Sequence, residues 1–169
     1  VGSFCGGQAR NAIPASAEVK ILVEPGLLAR VYEILESYSA ELKAGFGEIE
    51  QGMVFRWELL EESIPCIIPK EDVEALFNLL LTLPNGVHTM SPYIGGLVES
   101  SQNLGLLEVS DGEIRLAAMA RSCVAYRAKE LLAISYAIAD AFGFTFEQGE
   151  HSPAWAVNPK SKLTPITCQ

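Results

Sequence analysis

Residues Leu97 to Ser122 read LVESSQNLGLLEVSDGEIRLAAMARS. Asp111-Gly112 is the kind of pair favoured in two-residue type I′ turns, because both residues tolerate positive φ. The pair predicts a hairpin with one strand from Leu97 to Val109 and the other from Glu113 to Ser122. The turn sets the register. Ser110 faces Glu113, Val109 faces Ile114, Glu108 faces Arg115 and Leu107 faces Leu116. Opposite charges meet at the third pair, which supports the register. Counting on without interruption puts Asn103 across from Ala120 and Gln102 across from Arg121. Arg121 then shares a face with Arg115 and Glu108.

The flanks supply helices and further strands. Ser16 to Glu24 (SAEVKILVE) is β-rich and ends at Pro25-Gly26. Leu28, Val31, Leu35, Tyr38 and Leu42 make one apolar stripe on a helix from Leu27 to Ala44, closed by Gly45 and Gly47 and expected to pack on a sheet. Gly52 to Leu60 (GMVFRWELL) reads as a strand, and Ser63 to Pro69 as a connection bounded by proline. Lys70 to Leu83 is a second helix, with Val73, Leu76, Phe77 and Leu80 on one face. Glu71, Asp72 and Glu74 suit the positive end of its dipole. Pro84-Asn85-Gly86 stops it. A third helix runs from Tyr126 to Phe142, with Leu131, Ile134, Ile138 and Phe142 inward and Gly143 as its C′ residue. Phe144 to Gln148 alternates as a last strand.

The fold class is therefore α+β, an antiparallel sheet with helices packed on one face. From Gly52 onward the plan is ferredoxin-like, β-α-β-β-α-β, with an extra N-terminal strand and helix. Residues 1–169 read as one domain. A subdivision into 1–50 and 51–150 fits the order of elements too.

The bulk numbers suit a globular chain: 49% hydrophobic and 20% charged residues among 169. The formal charge of −9 argues against nucleic acid, which wants clustered Lys and Arg. No apolar run reaches the roughly 20 residues needed to span a bilayer, so no membrane is expected. Cys5, Cys66, Cys123 and Cys168 are widely spaced, with no C-x-x-C. Cys66 and Cys123, among apolar residues, are expected as buried free thiols, which fits a reducing cytoplasm. The first and last residues read as cuts through a longer protein.

Chemistry is thin on the ground. His88 and His151 belong to no metal-binding pattern, so no metal site is expected in the chain. There is no G-x-S-x-G elbow, and Gly6-Gly7 is too short for a phosphate loop. Cys123 beside Arg121 would need a nearby histidine to act as a nucleophile. What remains is polar residues in unusual places: Arg10-Asn11 before a strand, Glu99 to Asn103 inside one, and Arg121 at the end of another. Arginine and asparagine can recognise a carboxylate and a peptide group. On the residues alone, the simpler reading has Asn11 and Asn103 capping turns and Arg121 in a surface ion pair.

Five segments carry a resemblance. GGQARNAIPASA (Gly6 to Ala17), LPNGVHTMS (Leu83 to Ser91), GGLVESSQNLGLL (Gly95 to Leu107), EIRLAAMARS (Glu113 to Ser122) and SPAWAVNPKSKL (Ser152 to Leu163) occur in this order. They resemble, at similar spacing, the lid domain of the aminoacyl-histidine (Xaa-His, cytosolic non-specific) dipeptidases. The resemblance implies a two-domain parent, with two zinc ions in a catalytic domain that this sequence does not contain. Into that domain a lid is inserted that helps bind the dipeptide and pair subunits as a homodimer. It implies an enzymatic parent in the cytoplasm and a chain that is inactive alone, with no cofactor of its own.

By resemblance Asn11, in RNAIP, is the asparagine that related metallopeptidases use near the substrate. The arginine that many relatives carry a strand's length later falls here near Glu24, so that assignment does not transfer. Arg121 is the candidate to grip the substrate carboxylate, with Asn103 as helper. The family's glycine- and histidine-containing segment, together with the lid's opening strand and helix, is expected upstream of Val1. The alternative is a stand-alone ferredoxin-like module that binds a ligand or assembles subunits.

Overall fold

The computed structural model describes residues 1–61, 66–110 and 112–149. Its elements are β1 (Ser3–Gly6), β2 (Ala17–Lys20), a 3-10 turn (Pro25–Leu27), α1 (Leu28–Phe46), α2 (Lys70–Thr82), β3 (Gly86–Met90), β4 (Val98–Ser110), β5 (Glu113–Ser122) and α3 (Ala125–Ala141). All strand pairings are antiparallel. The α+β class expected from the hairpin and the helical stripes is the class observed.

β4 is the strand on which the sheet is built. β5 runs along one side of it for its full length. On the other side β3 pairs with its first half and β1 with Leu107 and Glu108 near its end, and β1 carries β2 beyond. The hairpin register holds from Ser110↔Glu113 through Leu107↔Leu116. It then shifts by one between Leu104 and Leu106, where Gly105 is the extra residue of a β-bulge. Asn103 therefore faces Met119 instead of Ala120, Gln102 faces Ala120, and Arg121 faces Ser101. Uninterrupted counting fails because a bulge adds a residue to one strand only.

Two strands expected from composition do not form. Segment 52–60 has no strand partner and lies beside α1, with Lys43 Nζ 5.9 Å from the Phe55 ring centroid. Strand-prone residues without a neighbouring backbone cannot build a ladder. Residues 144–148 also lack regular structure. Their alternation was real, because Phe144 and Phe146 pack on the core. Alternation reports which side chains are buried and says nothing of backbone pairing. Conversely, β1 and β3 form from short, glycine-containing pieces that carry no clear strand pattern.

The core lies between the sheet and two helices. Leu79 and Leu83 from the end of α2 and Ala139 from α3 are buried, with Leu104, Leu116, Ile138, Phe142, Phe144 and Phe146 packed around them. Gln102 reaches Ser135 on α3, so the side chains of even number in the first half of β4 point toward the helices. Phe4 meets Phe77 of α2 edge to face, 6.1 Å between centroids. α3 ends as a Schellman motif: Gly143 has φ +78°, Phe144 N–H bonds Ala139 O and Gly143 N–H bonds Asp140 O.

α1 makes no close backbone approach to the sheet. Its stripe instead looks into an open groove of about 1900 Å3, shared with β2, segment 54–60, and Val109 and Ile114 of the hairpin. Direct packing of this helix on the sheet, expected from the stripe, is thus replaced by a wide gap.

Candidate functional site

The face of the sheet away from the helices carries the candidate residues. Side chains alternate along a strand, so Asn103 and Ser101 lie opposite in direction to the helix-facing Gln102. On β5, Leu116 belongs to the core, which puts Arg115, Met119 and Arg121 on the open face. Arg121 is exposed. It is the diagonal neighbour of Asn103, a separation of roughly 7–8 Å in an antiparallel pair.

Asn11 sits on the loop between β1 and β2, and it is exposed. The loop is held at its base by Gly7 N–H bonding Ser16 O at 3.0 Å and by Gln8 Nε2 donating to Ser16 Oγ at 3.1 Å. Ala12 N–H bonds Ala9 O at 3.1 Å and closes a turn around Asn11. Asn103 Nδ2 donates to Arg10 O at 2.9 Å and to Ala12 O at 3.2 Å. The structure therefore brings Asn103 to Asn11 through the backbone on either side of it, with Arg121 on the next diagonal of the same face.

Electrostatics separate Arg121 from its neighbours. Arg115 is bound by Glu113 through two hydrogen bonds of 3.0 and 2.7 Å, and that carboxylate raises its pKa. Arg127 is paired with Glu130 at 2.8 Å, with the same consequence. Glu108, across from Arg115, adds only a smaller Coulombic contribution. Arg121 and Arg10 have no ion-pair partner among the described residues. A surface ion pair for Arg121, the simpler reading of the sequence, is therefore not what the described residues make.

Two glycines complete the site; Gly105 was not singled out from the sequence, and Gly7 was weighed only as part of a phosphate loop. Gly105, at the bulge, lets the loop backbone come close. A Cβ there would stand 2.5 Å from both Ala9 O and Arg10 O. Gly7 has φ +76°, and its Cβ would fall on Gly105 O. A lone glycine between leucines inside a strand, as in Leu104-Gly105-Leu106, is the available signal for such a close approach.

Other candidates fall away from this place. His88 is exposed on β3. Cys66 is exposed and Cys123 half-buried, where both were expected to be buried. Cys66 stands just before α2 beside the open groove, and an apolar sequence neighbourhood did not translate into cover. Among the described residues no histidine hydrogen-bonds to Cys123, and no group of three or more His, Cys, Asp or Glu could hold a metal ion. His151, the segment Ser152 to Leu163, Cys168 and Asp111 lie outside the described residues.

No protein-family profile matches the chain. A crystal structure of aminoacylhistidine dipeptidase from Vibrio alginolyticus superposes with a TM-score of 0.87 over 97% of this chain, at 26% identity. This chain is similar to the aminoacyl-histidine dipeptidases. The cytosol non-specific dipeptidase of Escherichia coli (strain K12) agrees, being 28% identical over 121 residues, or 72% of this chain. The chain spans a third of the Vibrio dipeptidase and a quarter of the Escherichia coli dipeptidase.

Proposed function

We propose that residues 1–169 are the lid of a zinc-dependent dipeptidase, positioning a short peptide for hydrolysis elsewhere in the whole protein. The likeness to a solved aminoacylhistidine dipeptidase along almost the entire chain carries this reading. The chemistry of the open face supports it. A dipeptide offers one peptide group and one free carboxylate within a few ångströms of each other. Asn11 offers an amide that both donates and accepts, and Arg121 a guanidinium without an acid partner among the described residues. Holding a substrate at both points restricts its orientation, which is how a group remote from the reacting bond contributes to rate.

The described residues do not fit a zinc site, since none of their potential ligands cluster. No step of this proposal passes through a metal. The two zinc ions and their ligands are assigned to the other domain of the parent, and the chain alone is expected to hydrolyse nothing. A cytoplasmic location belongs to the same reading. Among the described residues no helix is long and apolar enough to cross a membrane.

The test is kinetic and uses the full-length protein that contains this sequence. It should hydrolyse Xaa-His and other dipeptides, while the purified 169-residue chain should not. Arg121→Ala should lower kcat/KM by about 1.5–3 kcal/mol, the worth of a hydrogen bond to a charged group. The loss should shrink on dipeptides whose terminal carboxylate is amidated. Equal loss on both substrate types would remove Arg121 from the carboxylate contact. Dipeptide hydrolysis by the pure chain would overturn its assignment as a lid.

A further inference from the structure

We infer that Asn103 and Gly105 are positioning residues that act through Asn11, fixing the direction in which its amide meets a peptide substrate; this rests on the dipeptidase reading above. Both donors of the Asn103 amide go to the two carbonyls that bracket Asn11, those of Arg10 and Ala12. One side chain thus holds the peptide plane just before Asn11 and the one that follows Ala12, while the plane between them is held by Ala12 N–H bonding Ala9 O. Gly105 fixes the distance. Only a residue without Cβ allows Ala9 O and Arg10 O to lie where they do, because real Cβ atoms essentially never approach within 3.0 Å and a Cβ there would be 2.5 Å away.

The place is built for this and not left over from sheet pairing. β3 ends its pairing with β4 at Gly86↔Gln102, and β1 begins its own at Gly6↔Leu107. The stretch 103–106 faces no strand on that side, and the loop fills the gap. The bulge at Gly105 lies within it. Asn85 Oδ1 accepts from Leu104 N–H at 3.2 Å, closing the strand-side backbone as well.

The loop so held buries little. Asn11 and residues 13–16 are exposed, so the carbonyls that Asn103 binds could be satisfied by water instead. Two glycines and an asparagine that order an exposed loop give a fixed direction to its exposed side chain. This moves Asn103 from helper in substrate contact to the residue that aims Asn11.

The experiment joins exchange and kinetics on the full-length protein. In Asn103→Ala, and in the isosteric Asn103→Asp that lacks the two donors, amide exchange at Ala12 should rise by at least about tenfold while the core strands keep their protection. On a dipeptide, kcat/KM should fall about 10–100-fold, mostly in kcat, as for misplacement of a positioned group. Gly105→Ala, which displaces the same loop without touching Asn103, should do likewise. In an Asn11→Ala background neither substitution should cost anything further. Losses that add to that of Asn11→Ala, or unchanged exchange at Ala12, overturn the inference. If any one variant fails to fold, the other two give the same readout. If the exchange rises as expected but the unaltered protein hydrolyses no dipeptide, the loop clamp stands and the dipeptidase reading fails.

Discussion

Gln102 has 2% of its surface exposed, and its amide nitrogen donates to Pro84 O at 3.0 Å and to Ser135 Oγ at 3.1 Å. Ser135 returns a bond to Gln102 Oε1 at 3.3 Å. A buried amide must be satisfied, so this one fixes α3 and the end of α2 against β4 in one stroke. Gln102→Ala should destabilise the chain by about 2–3 kcal/mol in denaturant titration, since it strands Ser135 and Pro84 O. Pairing Gln102→Leu with Ser135→Ala should recover part of that. A cost for Gln102→Ala below about 0.5 kcal/mol, the range of ordinary surface substitutions, would show that the pair anchors nothing. Gly143 carries a different local demand. Its φ of +78° makes Gly143→Ala cost about 1 kcal/mol, readable as a lower midpoint with unchanged slope.

At the scale of elements, α3 shows how a periodic pattern can be right about a helix and miss the centre of its buried face: Leu131 is buried and Ile138 and Phe142 pack on the core, but Ile134 does not. The residues expected inward were Leu131, Ile134, Ile138 and Phe142. The buried ones are Ala128, Leu131, Ser135 and Ala139, while Ile134 is 42% exposed. Small residues let α3 come close to the sheet, and the Gln102 bond sets its rotation. α2 repeats the lesson: Leu76 and Leu79 are its most buried residues, and Phe77 keeps one side in solvent. Leu79→Ala should therefore cost about 2–5 kcal/mol, as for a truncated core leucine. Ile134→Ala should stay within about 1 kcal/mol. The reverse order in thermal or chemical unfolding would mean that α2 and α3 are rotated from the positions described.

For the whole molecule, the open questions of surface gather at β2. It pairs only with β1, leaving its outer side without a strand among the described residues. Val19, Ile21 and Leu22 are 48%, 44% and 58% exposed there and line the groove in front of α1. Unpaired strand edges recruit other strands. The homodimer implied by the dipeptidase resemblance is proposed to use this edge. Sedimentation should show the chain associating as its concentration rises, and Val19→Lys with Ile21→Lys should hold it monomeric, because lysine on an edge opposes strand addition. A monomer at every concentration would take the edge out of the pairing surface.

Legible in the sequence were the α+β class, three helices to within two residues at each end, the register of the hairpin near its turn, and the likeness to dipeptidases. These are local: a turn pair, a helical period, short motifs in order. The sequence also singled out Asn11, Arg121 and Asn103 as candidates, as polar residues in unlikely settings. The tertiary structure alone decided what those residues do to one another. The bulge at Gly105 moves Arg121 from Gln102 to Ser101, and Asn103 reaches across more than 90 residues of chain to hold the loop around Asn11. Both depend on one backbone lying against another where a Cβ would not fit. Such an approach leaves no periodic trace in a sequence, because it is set by distance in space and not by position along the chain.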